Sequence, residues 1–308
     1  MLINDTAVTD YSHMITTRPN DIRRVVISDL HLSADEPALV QAFLALINDL
    51  IALPHLKELY ILGDWFDAWV GDDNYLTLSN IEMRRHWLTP VIHQLSQLTL
   101  SGCQIKVMHG NRDFLIGQDF CDLFKGTLIP EPYLLTLGDQ IIRMEHGDAL
   151  CTDDKSYQRF RIIIRNPITQ YLLLKRPLQK RLDLAQKIRT KSALDKSSKS
   201  MSIMDVNQAA IIKALKPVNC LLHGHTHRPA KHQVVIDAKH HLTKSRYVLG
   251  DWRLISPDTS YEQVEAVIAV TTAEINSLDQ PILDQENLDQ NQSAEKESLQ
   301  LVKFVVKT

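Results

Sequence analysis

At 308 residues, 44% of them hydrophobic and 23% charged, the chain has the composition of an ordinary soluble globular protein and length for one large core or two modest domains. A formal net charge of -3 excludes a protein that is basic overall, so any anion-binding surface has to be local. No run of about 18 apolar residues occurs, which excludes an ordinary transmembrane helix.

The first twenty residues are polar and lack the apolar stretch of a secretory signal, so residues 1–22 read as a frayed N-terminal extension of a cytoplasmic protein. Residues 24–29 read as the first strand. Glu36-Pro37 opens a helix, with proline in the first turn where its missing N–H costs little. Leu39, Val40, Phe43, Leu44, Leu46, Ile47 and Leu50 give that helix a wide core-facing stripe. A second strand over 58–61 leads into Gly63-Asp64, and a helix over about 75–98 precedes a third strand ending at His109-Gly110-Asn111. This alternation predicts parallel pairing and α/β layering. Residues 134–137, a Gly138-Asp139 turn and residues 140–144 form a hairpin pattern.

Residues 152–216 read as helical, with starts at Asn166-Pro167 and Arg176-Pro177 and a last helix over 202–216. The strand ending at His223 follows, then short strands near 233–236 and 245–249. Strands over 264–270 and 299–306 flank a polar tract, 277–298, without periodicity or aromatic residues. That tract is expected to be a solvated, dispensable loop insertion. Cys103, Cys121, Cys151 and Cys220 are scattered without a C-x-x-C pair, which gives no disulfide framework and fits a reducing compartment. The expected division is an extension (1–22), a core (23–151 and 217–308) containing the 277–298 loop, and a helical insertion (152–216).

Five strand ends carry metal-ligating residue types. They are Asp29-Leu30-His31, Gly63-Asp64, Gly110-Asn111, His146-Gly147 and His223-Gly224-His225. Each alone is a weak signal, because a lone His is more often a surface or hydrogen-bonded core residue than a ligand. In an open α/β sheet, however, ligands bind where strands end in loops. Asp29, His31, Asp64, Asn111, His146, His223 and His225 are therefore expected to converge on one metal site. Two divalent ions about 3.5–4 Å apart need a shared carboxylate. Asp64, ending a central strand, is the expected bridge. Asp29, His31 and His225 would complete one metal position, and Asn111, His146 and His223 the other. Imidazole and carboxylate without thiolate suit manganese, iron or zinc and disfavour calcium. Manganese is the favoured ion. Such a pair lowers the pKa of a bound water toward about 7 and clamps the oxygens of an in-line displacement at phosphorus.

In this order, D-x-H, G-D, G-N, H-G and G-H-T-H resemble the calcineurin-like metallophosphoesterases over roughly residues 24–252. Five segments carry a narrower resemblance: Ser28-Asp29-Leu30-His31-Leu32, Gly63-Asp64-Trp65-Phe66-Asp67-Ala68-Trp69, His109-Gly110-Asn111-Arg112-Asp113-Phe114-Leu115, His146-Gly147-Asp148-Ala149-Leu150-Cys151-Thr152-Asp153-Asp154 and His223-Gly224-His225-Thr226-His227-Arg228-Pro229. These are similar to the UDP-2,3-diacylglucosamine diphosphatases of lipid A biosynthesis in Gram-negative bacteria. The resemblance implies an α/β fold, a four-layer α/β/β/α metallophosphoesterase sandwich with an inserted helical cap. It implies hydrolysis of UDP-2,3-diacylglucosamine to UMP and 2,3-diacylglucosamine 1-phosphate at a dinuclear site, through a metal-bound hydroxide. Catalytic roles fall to Asn111, Arg112 and His223. Substrate contacts fall to these three and to Asp154, Ser192 and Lys199, with Lys196 standing where the best-matched members carry Asn.

Many metallophosphoesterases have a His after the G-N pair, able to protonate an alkoxide leaving group. Here Arg112 stands there. Arginine does not donate a proton near neutral pH, but its planar fork matches phosphate oxygens. A phosphate leaving group, with a second pKa of about 6, departs without a general acid. Between 159 and 199, basic residues (Arg161, Arg165, Lys175, Arg176, Lys180, Arg181, Lys187, Arg189, Lys191) interleave with apolar ones. The plain reading is a packed helical hairpin with a solvated basic face. The functional reading is a surface for a lipid-linked nucleotide sugar and for the anionic cytoplasmic face of the inner membrane. Nucleic acid is disfavoured, Phe160 and Tyr171 being the two aromatics in the stretch, and no obligate protein partner is expected. The rivals are a phosphoesterase acting on water-soluble substrates and a non-enzymatic module on the same fold.

Overall fold

The structure is a computed structural model describing residues 8–198, 205–255, 262–273 and 297–308, side chains of 191–198 excepted. Most of the 277–298 tract, residues 199–204 (with Lys199) and the side chains of Ser192 and Lys196 lie outside the described residues.

Two sheets pack face to face. In the first, the order is β1 (Thr9–Asp10), β13 (Glu297–Lys307), β12 (Gln263–Ala273), β2 (Ile22–Ile27), β3 (Glu58–Leu62), β4 (Gln104–Met108) and β5 (Thr127–Leu128), with β11 (Arg253–Ile255) beside β12. In the second it is β6 (Tyr133–Leu137), β7 (Gln140–Glu145), β8 (Cys220–His223), β10 (Leu242–Val248) and β9 (Ala230–Asp237). β2 to β5 run parallel, as do β7, β8 and β10. β6 and β7 pair antiparallel across the Gly138-Asp139 turn, Leu137 opposite Gln140.

Strand side chains alternate between faces, so a strand buried on both sides reads as a continuous apolar run. Val25, Ile27, Leu59, Ile61, Ile105 and Val107 pack outward against α1 (Tyr11–Thr17), α2 (Pro37–Ile51) and, after α3 (Asp73–Leu76) and α4 (Asn80–Arg85), α5 (Leu88–Leu100). Val26, Tyr60, Leu62 and Met108 point the other way and meet Ile142, Met144, Leu222 and Tyr247 of the second sheet. Beyond α6 (Gln118–Asp122), α7 (Lys155–Ile164), α8 (Pro167–Leu174) and α9 (Leu178–Ser198) comes α10 (Gln208–Leu215). Its Ile211, Ala214 and Leu215 cover Leu221 and Val234 on the far face of that sheet. The result is an α/β/β/α sandwich. Within 152–216, α10 thus forms the fourth layer, while α7 to α9 lie outside that cluster.

Three local expectations are corrected. The single helix over 75–98 is three helices. Ser79 and Glu82 build a reciprocal cap that starts α4, His86 is extended at ψ 135°, and Pro90 tolerates only a first-turn position, so α5 begins at Leu88. The N-terminal extension is not frayed throughout. Asp10 caps α1, whose Tyr11 and Met14 are buried, with Tyr11 edge-on to Phe304 at 5.3 Å. The helix expected over 202–216 starts at Gln208, because the Asn207 side chain accepts from the amides of Ala209 and Ala210.

Candidate metal centre and phosphate site

The ends of β2, β3, β4, β7 and β8 meet at one edge of the sandwich, and their loops are hydrogen-bonded to each other. The Asp29 amide donates to the Gly63 carbonyl at 3.1 Å, His31 to Asp64 at 3.0 Å and Gly224 to His146 at 2.9 Å. Two glycines permit this approach. A Cβ on Gly63 would lie 2.5 Å from the Gly110 backbone, and one on Gly110 would lie 2.1 Å from the Asp64 amide nitrogen. Asp29, His31, Asp64 and His225 all have φ between 49° and 67°, a left-handed conformation that non-glycine residues rarely adopt. Such strain persists only where the surroundings over-determine it, and it clusters at functional sites. Behind Asp64 the restraint is aromatic. Trp65 stacks on Phe66 at 4.5 Å, Phe66 on Trp69 at 4.6 Å, and Trp69 meets Phe120 at 4.4 Å.

The Asp64 carboxylate presents one oxygen to each half of the site. Oδ1 lies 3.6 Å from His146 Nε2, and Oδ2 lies 3.9 Å from His31 Nδ1. His146 Nε2 is also 3.0 Å from Asn111 Oδ1. Its Nδ1 lies 2.9 Å from the Leu62 carbonyl, and the Nδ1 of His223 lies 2.8 Å from the Gly224 carbonyl. With each Nδ1 turned to a carbonyl, Nε2 is the nitrogen left to face the site in both rings, the arrangement found in metal-ligating histidines. His223 Nε2, both nitrogens of His31 and Asp29 Oδ1 are buried without a hydrogen-bond partner, although unpaired buried polar atoms are costly. Candidate ligand atoms of Asp29, Asp64 and His146 lie within 4.8 Å of one another, as do those of Asp29, His31 and His227.

Electrostatics agree with a cation site. Burial drives His31, His223 and His225 down to about 3, the neutral form a metal requires. Burial would do the same to His146, but the carboxylates of Asp64, Asp29, Asp148 and Glu131 outweigh it and lift that group to about 9. Burial lifts Asp64 to about 6, against the pull of His146 and with help from Asp113 and Asp29. A field strong enough to hold a proton on a fully buried imidazole is one in which a cation is at home. The donor set and its orphaned atoms fit a divalent metal.

Arg112 lies beside this cluster. Its amide donates to Asp64 Oδ1 at 2.9 Å, its Nε is 3.6 Å from Asp64 Oδ2, and its guanidinium is paired with Asp67. The other oxygen of Asp67 lies 2.5 Å from Arg189 on α9. Asp154 caps α7, accepting from the Tyr157 amide at 3.0 Å. Several structural partners carry no ligand-type signal in the sequence. Buried Asp113 accepts from the amides of Gly110 and Trp65, each at 2.7 Å, so it ties the Asn111 loop to the Asp64 loop. Asp148 and Glu131 anchor Arg161 of α7 and Arg165 just after its end. Arg181, read as part of a basic surface, is 3% exposed and bound to Asp73 and to the Val70 carbonyl, so it holds the cap to the core. In the sequence His227 is only the tail of its motif, and its place beside Asp29 is visible only in three dimensions.

With this geometry established, three curated relatives place the chain. A UDP-2,3-diacylglucosamine hydrolase of Pseudomonas putida (strain F1) is 41% identical over 230 residues, 74% of this chain and 90% of that protein. The chain belongs to the UDP-2,3-diacylglucosamine hydrolase family. Hydrolases of the same name from Chromohalobacter salexigens (41% over 231 residues, 74% and 88%) and Pseudomonas aeruginosa PAO1 (40% over 228 residues, 73% and 89%) match similarly. No protein-family model matches the chain. A solved protein of unknown function from Aquifex aeolicus superposes at a TM-score of 0.30 with 16% identity over 66% of this chain and 78% of its own, too slight a likeness to carry an argument. The part matched to the UDP-2,3-diacylglucosamine hydrolases is about three quarters of the chain.

Proposed function

We propose that the chain hydrolyses the diphosphate of UDP-2,3-diacylglucosamine to UMP and 2,3-diacylglucosamine 1-phosphate, a step of lipid A biosynthesis. The observation that carries this is the identity of about 40% to the named hydrolases. The converged Asp, His and Asn residues supply what a phosphoryl-transfer site needs. In this reading Asp29, His31 and His225 hold one divalent metal, Asn111, His146 and His223 hold another, and Asp64 is shared, with manganese as the ion. A bound pair supplies a water of lowered pKa and positive charge for the phosphate oxygens.

The remaining roles belong to the chain. Asp113 and the two apposed glycines fix Asp64 against Asn111. Arg112 offers a planar fork to phosphate charge that develops as the P–O bond breaks. Asp154, Ser192, Lys196 and Lys199 remain the candidate contacts on the cap side. To test the activity, manganese-loaded protein is incubated with UDP-2,3-diacylglucosamine and, side by side, with water-soluble phosphodiesters. UMP release from the lipid substrate alone is expected. Equal turnover of the soluble esters would favour the rival reading.

The cap supports a membrane-surface role. Ile162 and Ile168 are each 71% exposed, with Ile163, Tyr171, Leu172 and Leu174 also exposed on α7 and α8, and Lys175, Arg176 and Lys180 beside them. Among the described residues no helix is long and apolar enough to cross a membrane. Peripheral docking on the anionic cytoplasmic face of the inner membrane, by acyl insertion plus basic contacts, fits both facts. Neutralising Lys175, Arg176 and Lys180 together should weaken partition onto phosphatidylglycerol vesicles roughly a hundredfold at low salt. Unchanged sedimentation with the vesicles would remove the electrostatic part. Buried Arg181 is left intact, since its loss would loosen the cap rather than report on lipid.

A further inference from the structure

His227 lies outside the seven residues assigned to metal, yet its ring stands between two carboxylates. Nε2 is 3.4 Å from Asp29 Oδ1, and Nδ1 is 3.4 Å from Asp251 Oδ2. The residue has φ 55°, in the same left-handed region as Asp29, His31, Asp64 and His225. Its ring centroid is 5.5 Å from that of His31. The other oxygen of Asp29 is already held, by the Ser28 hydroxyl at 2.5 Å and the His225 amide at 2.9 Å. The Asp29 carbonyl in turn accepts from the Trp252 amide at 3.1 Å, which fixes the segment carrying Asp251 against Asp29.

Both ring nitrogens of His227 face carboxylate oxygens at 3.4 Å, so a proton on either nitrogen is directed at a carboxylate. Asp29 Oδ1 makes no formed hydrogen bond, and the His227 ring 3.4 Å away is the group placed to supply an N–H to one of its two lone pairs while the other stays directed into the site. A carboxylate held at both oxygens keeps one orientation, and outer partners of this kind set ligand direction and affinity.

We propose that His227, held by Asp251, is a positioning residue that orients the Asp29 carboxylate toward the metal position it forms with His31 and His225. The inference rests on the two-metal reading above and adds to it a carboxylate–imidazole–carboxylate clamp outside the ligand shell. Asp251→Asn weakens the same position by loosening the imidazole. The other position, formed by Asn111, His146 and His223, is untouched by the clamp.

The test uses the full chain, stripped of metal by chelation and titrated calorimetrically with Mn2+ alone, alongside thermal unfolding of the stripped proteins. The wild type is expected to bind at two resolved sites. His227→Ala should weaken one of them about 10- to 100-fold, the range for outer-shell partners, and leave the other unchanged. Asp251→Asn should weaken the same site by less, and it reads that site without altering residue 227. His227→Gln should recover much of the affinity, since its amide N–H can reach Asp29 while the side chain is a poor ligand. An alanine variant that melts like the wild type and binds both ions with full affinity would overturn the clamp. So would a glutamine variant as weak as alanine, which would make the ring a direct ligand. A wild type that binds no Mn2+ would instead fail the metal reading, and the clamp with it.

Discussion

Asp64→Ala is expected to remove both bound ions and to lower turnover by well over the ~100-fold that marks the upper end for an outer-shell partner. Asp64 presents Oδ1 toward His146 and Oδ2 toward His31, at 3.6 and 3.9 Å, so in the proposed two-metal reading its loss takes a ligand from each half of the site. His31→Ala, by contrast, deletes one side of one half and should leave about one ion bound. Metal analysis of the two purified variants, beside turnover of UDP-2,3-diacylglucosamine, separates these outcomes. Asp64→Ala also strands acceptor-seeking groups, since the Arg112 amide donates to Oδ1. Asp64→Asn keeps that hydrogen bond and the volume while removing the charge, and should lose the ions as well. Two ions retained by a folded Asp64→Asn variant would show that the shared carboxylate lies elsewhere. Asp29 would then be the alternative, because its ligand atom lies within 4.8 Å both of His31 and His227 and of Asp64 and His146.

The sandwich was legible because its central strands are buried on both faces. Val25-Val26-Ile27 and Leu59-Tyr60-Ile61-Leu62 are continuous apolar runs, and the structure sends their alternate members into two different cores. The hairpin was legible from two turn residues between apolar runs. The three helices over 73–100 did carry local signals, the Ser79-x-x-Glu82 capping box and Pro90, but the apolar period running through 75–98 masks them. Helix α1 was not legible, because its seven residues carry too few apolar positions to show a period. For α10, periodicity announced a helix but not the sheet it covers.

The converging residues were legible as a set because each follows an apolar strand directly. Their supports were not. Asp113 and Asp148 look like any loop carboxylates in the sequence, and both are fully buried. Among the cap cations, Arg161, Arg165 and Arg181 are consumed by Glu131, Asp148 and Asp73, while Lys175, Arg176 and Lys180 face solvent. A residue count cannot divide them, since the division depends on which helix face meets the core.

Hydrolysis in water carrying heavy oxygen is expected to place the label in UMP and not in the sugar phosphate. The attacking oxygen must approach phosphorus opposite the leaving oxygen, so the phosphorus that reacts is the one seated against Asp64 and the residues around it. The exposed apolar side chains lie on α7 and α8, and the ion pairs of Asp67 with Arg112 and Arg189 run from the metal centre toward α9. If the acyl chains follow the apolar cap surface, the sugar and its phosphate lie on the cap side, and the nucleotide phosphate lies over the metal centre. In that pose attack would expel the acylated sugar 1-phosphate, and Arg112, in the role proposed above, would meet that leaving group's developing charge. Arg112→Ala should therefore lower turnover about 100- to 1,000-fold, as the loss of one donor to a developing anion does. Arg112→Lys should recover only part, because a point charge does not reproduce the fork. Neither substitution should move the label. Heavy oxygen found by mass spectrometry in the sugar phosphate would mean that water attacks the other phosphorus, and the substrate would lie in the site the opposite way round.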